Sequence, residues 1–336
     1  MSNLLQLNMK STTLSGTVRI DQQGAPSVLK YYDDEINNPE PQQVLLRQEA
    51  IGLNFVDVLF RNGTFPINRF PAIIGVEASG TIEAIGSNVT GFSVGDRVGY
   101  FFSLGAYTQQ RLIDANNLIK LPDDISFGEA ASLLAKGMTA RMLIKQAYTV
   151  KAGDTILVHA AAGGVGSLVS RWAKSLGATV IGTVGSSEKK EYALAHGIDY
   201  VIALDSEELV ASVKSFTSGK KIQAVFDGVG QATFSQSVEL IDEGGYAVLF
   251  GFASGFPRLE TIDFKGRKIN FVKPDLGSYL PDHAAAQKAA DEVFEALKNG
   301  VFGKISPTIY SIRETAKAHE DLESGKTKGS VIFHTN

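Results

Sequence analysis

Hydrophobic and polar positions follow two different rhythms along this chain. From about residue 15 to 130, short segments at 43–53, 80–85 and 97–102 are separated by turn signals at Gly24, Asn62-Gly63, Gly86 and Gly95-Asp96. Few long helical patterns occur there, and short apolar runs broken by Gly and Asn-Gly read as strands, so a compact, barrel-like β domain is expected. From about 136 the rhythm becomes strand, helix, strand. The pattern predicts a buried strand over 155–159 and a helix over 165–176, with Gly177 at its C-terminal stop. Further strands are expected at 179–183, 200–202, 222–226, 246–251 and 269–272, with helices at 187–196, 207–215 and 231–241 separating the first of them. Such alternation implies a parallel sheet covered by helices. The tail carries one long helix, with Ala286, Ala290, Val293, Phe294 and Leu297 at core-facing spacing and Asn299-Gly300 ending it. A helix over 313–323 and a strand over 330–334 follow. The fold class expected is α/β.

Composition narrows the chemistry. The 336 residues suffice for about two domains, and at 44% hydrophobic and 20% charged they can bury real cores. A net charge of −4 provides no overall basic field for nucleic acid or an anionic membrane. No run approaches the roughly 20 apolar residues that span a bilayer, and Met1–Thr13 reads as no secretory signal. The chain has no cysteine, which excludes disulfides, thiolate nucleophiles and Cys-ligated zinc. A soluble cytoplasmic protein is expected.

The sharpest local feature is His159-Ala-Ala-Ala-Gly163-Gly164-Val165-Gly166, placed after a strand and opening a helix. That context turns a glycine cluster into a cofactor site, because the backbone must approach a pyrophosphate closely and the helix N-terminus offers it unpaired N–H groups. Ala161 stands where the usual GxGxxG pattern begins with Gly. An NAD-binding chain carries an acid at the end of its second strand, for the ribose 2′-OH. Here Gly185 and Ser186 fill that slot, followed by Glu188, Lys189 and Lys190. A hydroxyl and a lysine suit a 2′-phosphate, so NADPH is the cofactor expected.

Several ordered motifs extend this reading over most of the chain. Gly52-Leu-Asn54-Phe-Val-Asp57, Arg61-Asn-Gly63, Gly75-Val-Glu77-Ala-Ser-Gly80, Gly95-Asp-Arg-Val98 and the segment from Phe127 through Lys136 to Thr139 precede the glycine turn. Together they resemble the zinc-free medium-chain dehydrogenase/reductases of the quinone oxidoreductase and zeta-crystallin type. The resemblance implies a GroES-like catalytic domain in two parts, residues 1–135 and 276–336, with a Rossmann NADPH-binding domain, 136–275, inserted between them. It implies a cofactor and substrate in the cleft between domains, and a homodimer. It places Asn54 near the nicotinamide ribose, with Lys136 and Thr139 facing the cofactor. Gly163, Gly164, Val165 and Gly166 would form the pyrophosphate turn, with Ser186 and Lys189 at the 2′-phosphate. The loop at Phe250-Gly251 and a basic residue, Lys326 or Lys328, complete the implied set. The chain departs from close relatives at Leu59, Phe65 and Leu204, where they carry tyrosines; neither Leu59 nor Phe65 can donate a hydrogen bond to a carbonyl.

Zinc-dependent cousins carry a Cys near 54–57 and a His where Val76 stands. The five histidines, His159, His196, His283, His319 and His334, are scattered. Glu77 and Asp57 alone make a poor zinc site and read better as polar lining or turn support. Without a metal, alcohol oxidation lacks its Lewis acid. What remains is hydride transfer to an electron-poor acceptor, a reaction that needs mainly proximity and orientation. The expected function is NADPH-dependent reduction of a small planar quinone. The alternatives are reduction of an alkenal or enone double bond, and the AU-rich RNA binding of some crystallin-like relatives.

Overall fold

A computed structural model describes residues 13–335. The stretch read above for a leader lies almost wholly in 1–12, outside the described residues. The β-rich part is organised around one long strand, Gln43–Leu53, whose Val44, Leu46, Ile51 and Leu53 are buried. It pairs antiparallel with Glu77–Ile85 on one side. On the other it meets Gln110–Asp114 and then the last strand of the chain, Val331–His334. Arg97–Tyr100 and Ile119–Lys120 extend the sheet at one edge and Thr308–Ser311 at the other. A three-stranded sheet of Lys30–Ile36, Thr13–Ile20 and Ala72–Ile73 packs beside it, joined through the Thr17–Thr108 bridge.

Two helices here were not expected. α1, Phe55–Asn62, is opened by a capping box in which the Asp57 carboxylate accepts the Asn54 N–H. α2, Phe127–Met142, is buried on nearly every face, so it carries no polar stripe from which a 3.6-residue period could be read. The expected domain junction at 135/136 falls inside α2.

The second part is an open sheet of six parallel strands. Their spatial order is Tyr200–Ala203, Thr179–Val184, Thr155–Val158, Ile222–Asp227, Ile241–Leu249, Asn270–Val272. This is the 3-2-1-4-5-6 order of doubly wound dinucleotide folds, with its switch point beside the first strand. α3 (Gly164–Ser175), α4 (Lys190–Ala195) and α5 (Leu209–Phe216) link successive strands. The helix expected over 231–241 is shorter: α6 covers only Phe234–Val238. Ile241 is claimed by the fifth strand, pairing with Ile222, and a register shift follows before Tyr246 pairs with Ala224. That strand is correspondingly longer than the 246–251 expected.

The tail returns to the first part through α7, His283–Lys298, capped by the Asp282 carboxylate at its start. α7 lies on α2 so closely that a side chain at Gly137 would meet Val293. α8, Thr315–Glu323, precedes the final strand. No helix among the described residues is long and apolar enough to cross a membrane.

Candidate active site

The first parallel strand delivers the chain into the glycine turn at His159. This histidine is fully buried, its Nδ1 2.8 Å from Thr183 Oγ1 and its Nε2 2.6 Å from Ser237 Oγ. Burial lowers its pKa, so it serves as a neutral clamp between strands and α6. Ala160 then takes a left-handed φ of 51°, a conformation an L-residue holds only under constraint. Its carbonyl accepts the Gly163 N–H at 2.8 Å. A Cβ on Gly166 would lie 2.4 Å from that same carbonyl oxygen, so only glycine fits. The turn ends at the N-terminus of α3, whose first amides have no partner within the helix. Gly163 also bridges to Gly329 on the returning tail, whose N–H donates to the Ala162 carbonyl at 2.8 Å.

Lys136 ties this turn to the catalytic sheet. Its aliphatic stem crosses Gly164, where an added Cβ would sit 2.8 Å from Lys136 Cδ. Its ammonium meets the Glu77 carboxylate at 3.0 Å, with Glu77 fully buried. The same carboxylate accepts Asn54 Nδ2 at 2.8 Å and the Ala135 N–H at 2.7 Å. Three donors thus converge on one buried carboxylate, which satisfies it and fixes both Asn54 and Lys136. Below Asn54, Asp57 Oδ2 also accepts the Tyr107 hydroxyl at 3.0 Å, and that hydroxyl lies 2.9 Å from His319 Nε2. Burial raises the Asp57 carboxyl to about 7, against the lowering effect of its two hydrogen bonds and of Lys136. Burial also lowers His319 to about 3. A neutral His319 donating to Tyr107, which donates to Asp57, makes a consistent chain. Tyr107 and His319 carried no signal in the sequence.

Between the two parts lies a cleft of about 670 Å³. Asn54, Lys136, Thr139, Val165, Phe250 and Gly251 all line it, as do Leu59 and Phe65. Its remaining wall is largely apolar and aromatic, including Phe101, Phe102 and Phe252, with His283 and Asp282 at one edge. Phe101, Phe102, Leu280 and His283 were not foreseen. Thr139 turns its hydroxyl back onto the Ala135 carbonyl at 2.7 Å.

The second candidate cluster forms at the start of α4. Burial lowers the pKa of Lys189, and the nearby Lys328 ammonium lowers it further. Lys328 also lies over the Tyr192 ring, 5.9 Å from its centroid. Lys326 instead points to Asp321, at 3.6 Å. Of the two lysines left open by the sequence, Lys328 is therefore the one brought beside Lys189. Two cations held this close are a ready receptor for a dianion. Leu204 is partly buried, packed against the core cluster that holds Ile202 and Leu209.

Residues 164–299 match the family described as zinc-binding dehydrogenase, and residues 40–123 the alcohol dehydrogenase GroES-like domain. A quinone oxidoreductase of Pseudomonas aeruginosa is 40% identical over 92% of this chain and 96% of its own length. The chain belongs to the quinone oxidoreductase family of medium-chain reductases. The solved structure of Escherichia coli quinone oxidoreductase complexed with NADPH superposes with a TM-score of 0.91 at 34% identity, over 95% of this chain and 99% of that one. A 2-haloacrylate reductase of Burkholderia is 35% identical over 94% of this chain and 97% of its length. Within this family the zinc of the wider group needs about three converging ligands. Here Glu77 is already engaged by three donors, Asp57 by two, and no group of three His, Asp or Glu among the described residues could hold a metal. These residues do not fit a zinc ion.

Proposed function

We propose that this chain reduces small, planar, electron-poor acceptors, quinones foremost, by direct hydride transfer from NADPH and without a metal. The observation that carries the reading is the double placement of Lys136: its stem lies on the glycine turn, and the residue also lines the cleft, its ammonium held by the buried Glu77 carboxylate. One residue thus belongs both to the dinucleotide site and to the acceptor site. The residues present fit the cofactor. Gly163, Gly164, Val165 and Gly166 leave room for a pyrophosphate at the α3 N-terminus. Ser186, Lys189 and Lys328 would take the 2′-phosphate. Asn54, Thr139 and the Phe250-Gly251 loop would flank the nicotinamide half. On this reading the Rossmann unit, 136–275, holds the cofactor, and the flanking parts supply the acceptor wall.

NADPH, when bound, supplies the hydride. The chain's own work is orientation. Leu59, Phe65 and the phenylalanines around the cleft exclude water and hold a flat ring. Lys136, fixed by Glu77, stabilises negative charge developing on the acceptor oxygen. No phenol lines the cleft at 59 or 65 to donate a proton. A quinone tolerates this, because its ring delocalises the charge until water protonates the product. An enone forms a more basic enolate and gains more from a placed donor. The family resemblance to a 2-haloacrylate reductase keeps double-bond reduction as the second reading.

The test is NADPH oxidation against 1,4-benzoquinone, a matched enone and a simple alcohol, before and after dialysis with a strong chelator. Quinone turnover that exceeds enone turnover in kcat/KM and survives chelation is expected. Robust enone reduction with negligible quinone turnover moves the assignment to the second reading; chelator-sensitive turnover ends the metal-free one.

A further inference from the structure

A second groove, of about 720 Å³, lies behind the glycine turn. It is bounded by the outer face of α3, by α4 and by the crossing segment 299–307. That volume is in the roughly 300–1,000 Å³ range of small-molecule sites. None of Ser186, Lys189 and Lys328, proposed for the cofactor phosphate, lines it, although Lys328 lies over the Tyr192 ring, 5.9 Å from its centroid. Its lining contains no carboxylate, yet carries Arg171, Lys174, His196 and Lys304. Lys174 is paired with Asp199 outside the groove. Arg171 donates to the Phe302 carbonyl, leaving its buried Nε without a partner. Lys304 is exposed and makes no ion pair with a described residue, so it is available to a ligand. Tyr192 and His196 both line it and stack on each other, their centroids 4.0 Å apart and their planes 32° from parallel. Cations around an acid-free groove select an anion, and an aromatic wall selects a flat ring.

We propose that this groove binds a phosphate monoester carried on a planar ring, the mononucleotide class, with the phosphate held by Arg171 and Lys304 and the ring on the Tyr192–His196 wall. The site adjoins the cofactor turn without sharing it, because Tyr192 lies against Gly329, the residue that bridges to Gly163.

The probes are adenosine monophosphate and inorganic phosphate, titrated calorimetrically at constant ionic strength into protein saturated with NADPH and, in parallel, into protein without it. One saturable site per chain is expected in the NADPH-saturated protein, with the nucleotide tighter than phosphate; without NADPH the cofactor's own phosphate subsites add to it. Reversing the charge at the exposed position, Lys304→Glu, should weaken both probes at least tenfold. Tyr192→Leu should weaken the nucleotide alone. Arg171→Gln can loosen the 299–307 segment, so Lys304→Glu is the deciding variant. Binding abolished by NADPH would mean that the probe had occupied the cofactor's own phosphate subsites, and overturns the proposal. So does binding unchanged by Lys304→Glu, or no saturable binding. If the cofactor assignment fails, the loss of binding caused by Lys304→Glu in the titration without NADPH still reads the groove.

Discussion

Replacing Glu77 by Gln removes one buried charge that holds two cleft residues, Asn54 and Lys136. The wild-type carboxylate is fully buried and accepts Lys136 Nζ at 3.0 Å, Asn54 Nδ2 at 2.8 Å and Ala135 N at 2.7 Å. An amide offers one oxygen where the carboxylate offered two, and turns its NH₂ toward a donor. The Lys136 side chain is itself only 6% exposed, so its ammonium is left without a counter-charge. Breaking a buried ion pair from one side costs about 3–5 kcal/mol, because the remaining charge is uncompensated. Gln keeps part of the hydrogen bonding, so we expect a loss toward the lower end, about 3 kcal/mol. Removing both charges, in Glu77→Gln with Lys136→Met, should recover most of that stability while abolishing the positioned ammonium. The assay is urea unfolding of the two single variants and the double variant at pH 7, alongside the quinone kcat/KM of Glu77→Gln. A coupling energy of about 2 kcal/mol or more, with kcat/KM down at least tenfold, is the expected outcome. Additive effects, or a Glu77→Gln variant within about 0.5 kcal/mol of wild type and fully active, would show that the pair neither supports the fold nor places Lys136.

Lys189→Ala should weaken NADPH by roughly 10- to 150-fold, the value of one charge-assisted contact, and leave NADH nearly untouched; equal losses in fluorescence titrations of both cofactors would refute the 2′-phosphate assignment. Gly166→Ala forces a Cβ to 2.4 Å from the Ala160 carbonyl oxygen. NADPH affinity should fall at least tenfold or stability by about 1–3 kcal/mol, and calorimetry showing neither would mean that the turn is looser than described. Asp57 binds its proton more tightly in the folded state, at about 7, so stability should decline as pH rises from about 4 to about 7, by at most ~4 kcal/mol. Asp57→Asn should flatten that slope relative to the parent in urea unfolding at pH 5 and 8, with His319, lowered to about 3, contributing a slope of the opposite sign to both proteins; parallel slopes would remove Asp57 from the account.

The parallel sheet was legible because most of its strands are short apolar runs set between helix starts and stops, and the glycine turn because a cluster of glycines between a strand and a helix start marks close approach: here of the Ala160 carbonyl to Gly163 and Gly166, and of the Lys136 stem to Gly164. α2 was not legible as a helix. It is buried on almost all sides, and a helix without a wet face shows no period. Ile241 was misplaced for a different reason: its pairing with Ile222 is a long-range contact that outweighs local helix preference. The Glu77–Lys136 pair did leave a trace. Each is the lone charge in a largely apolar run, Ile74 to Gly80 and Ala130 to Met138, and lone buried charges seek each other. Glu77 and Asp57 were read as lining and turn support; Asp57 does cap α1, whereas Glu77 holds the two residues nearest the proposed reaction. Tyr107 and His319 lie 212 positions apart and meet only in the folded chain. No local pattern announces such a contact. Between Lys326 and Lys328 the choice rested on which side chain Asp321 captures, a matter of three-dimensional placement alone.

Direct hydride transfer is tested by a single-turnover experiment with NADPH deuterated at the transferred position of the nicotinamide, mixed as the enzyme complex with 1,4-benzoquinone in chelator-treated buffer. Nicotinamide oxidation and quinone reduction should proceed with one rate constant, slowed by the deuterium and unchanged by the chelator. Quinone reduction that lags cofactor oxidation, or that stops when metal is withdrawn, would contradict direct hydride transfer in this cleft.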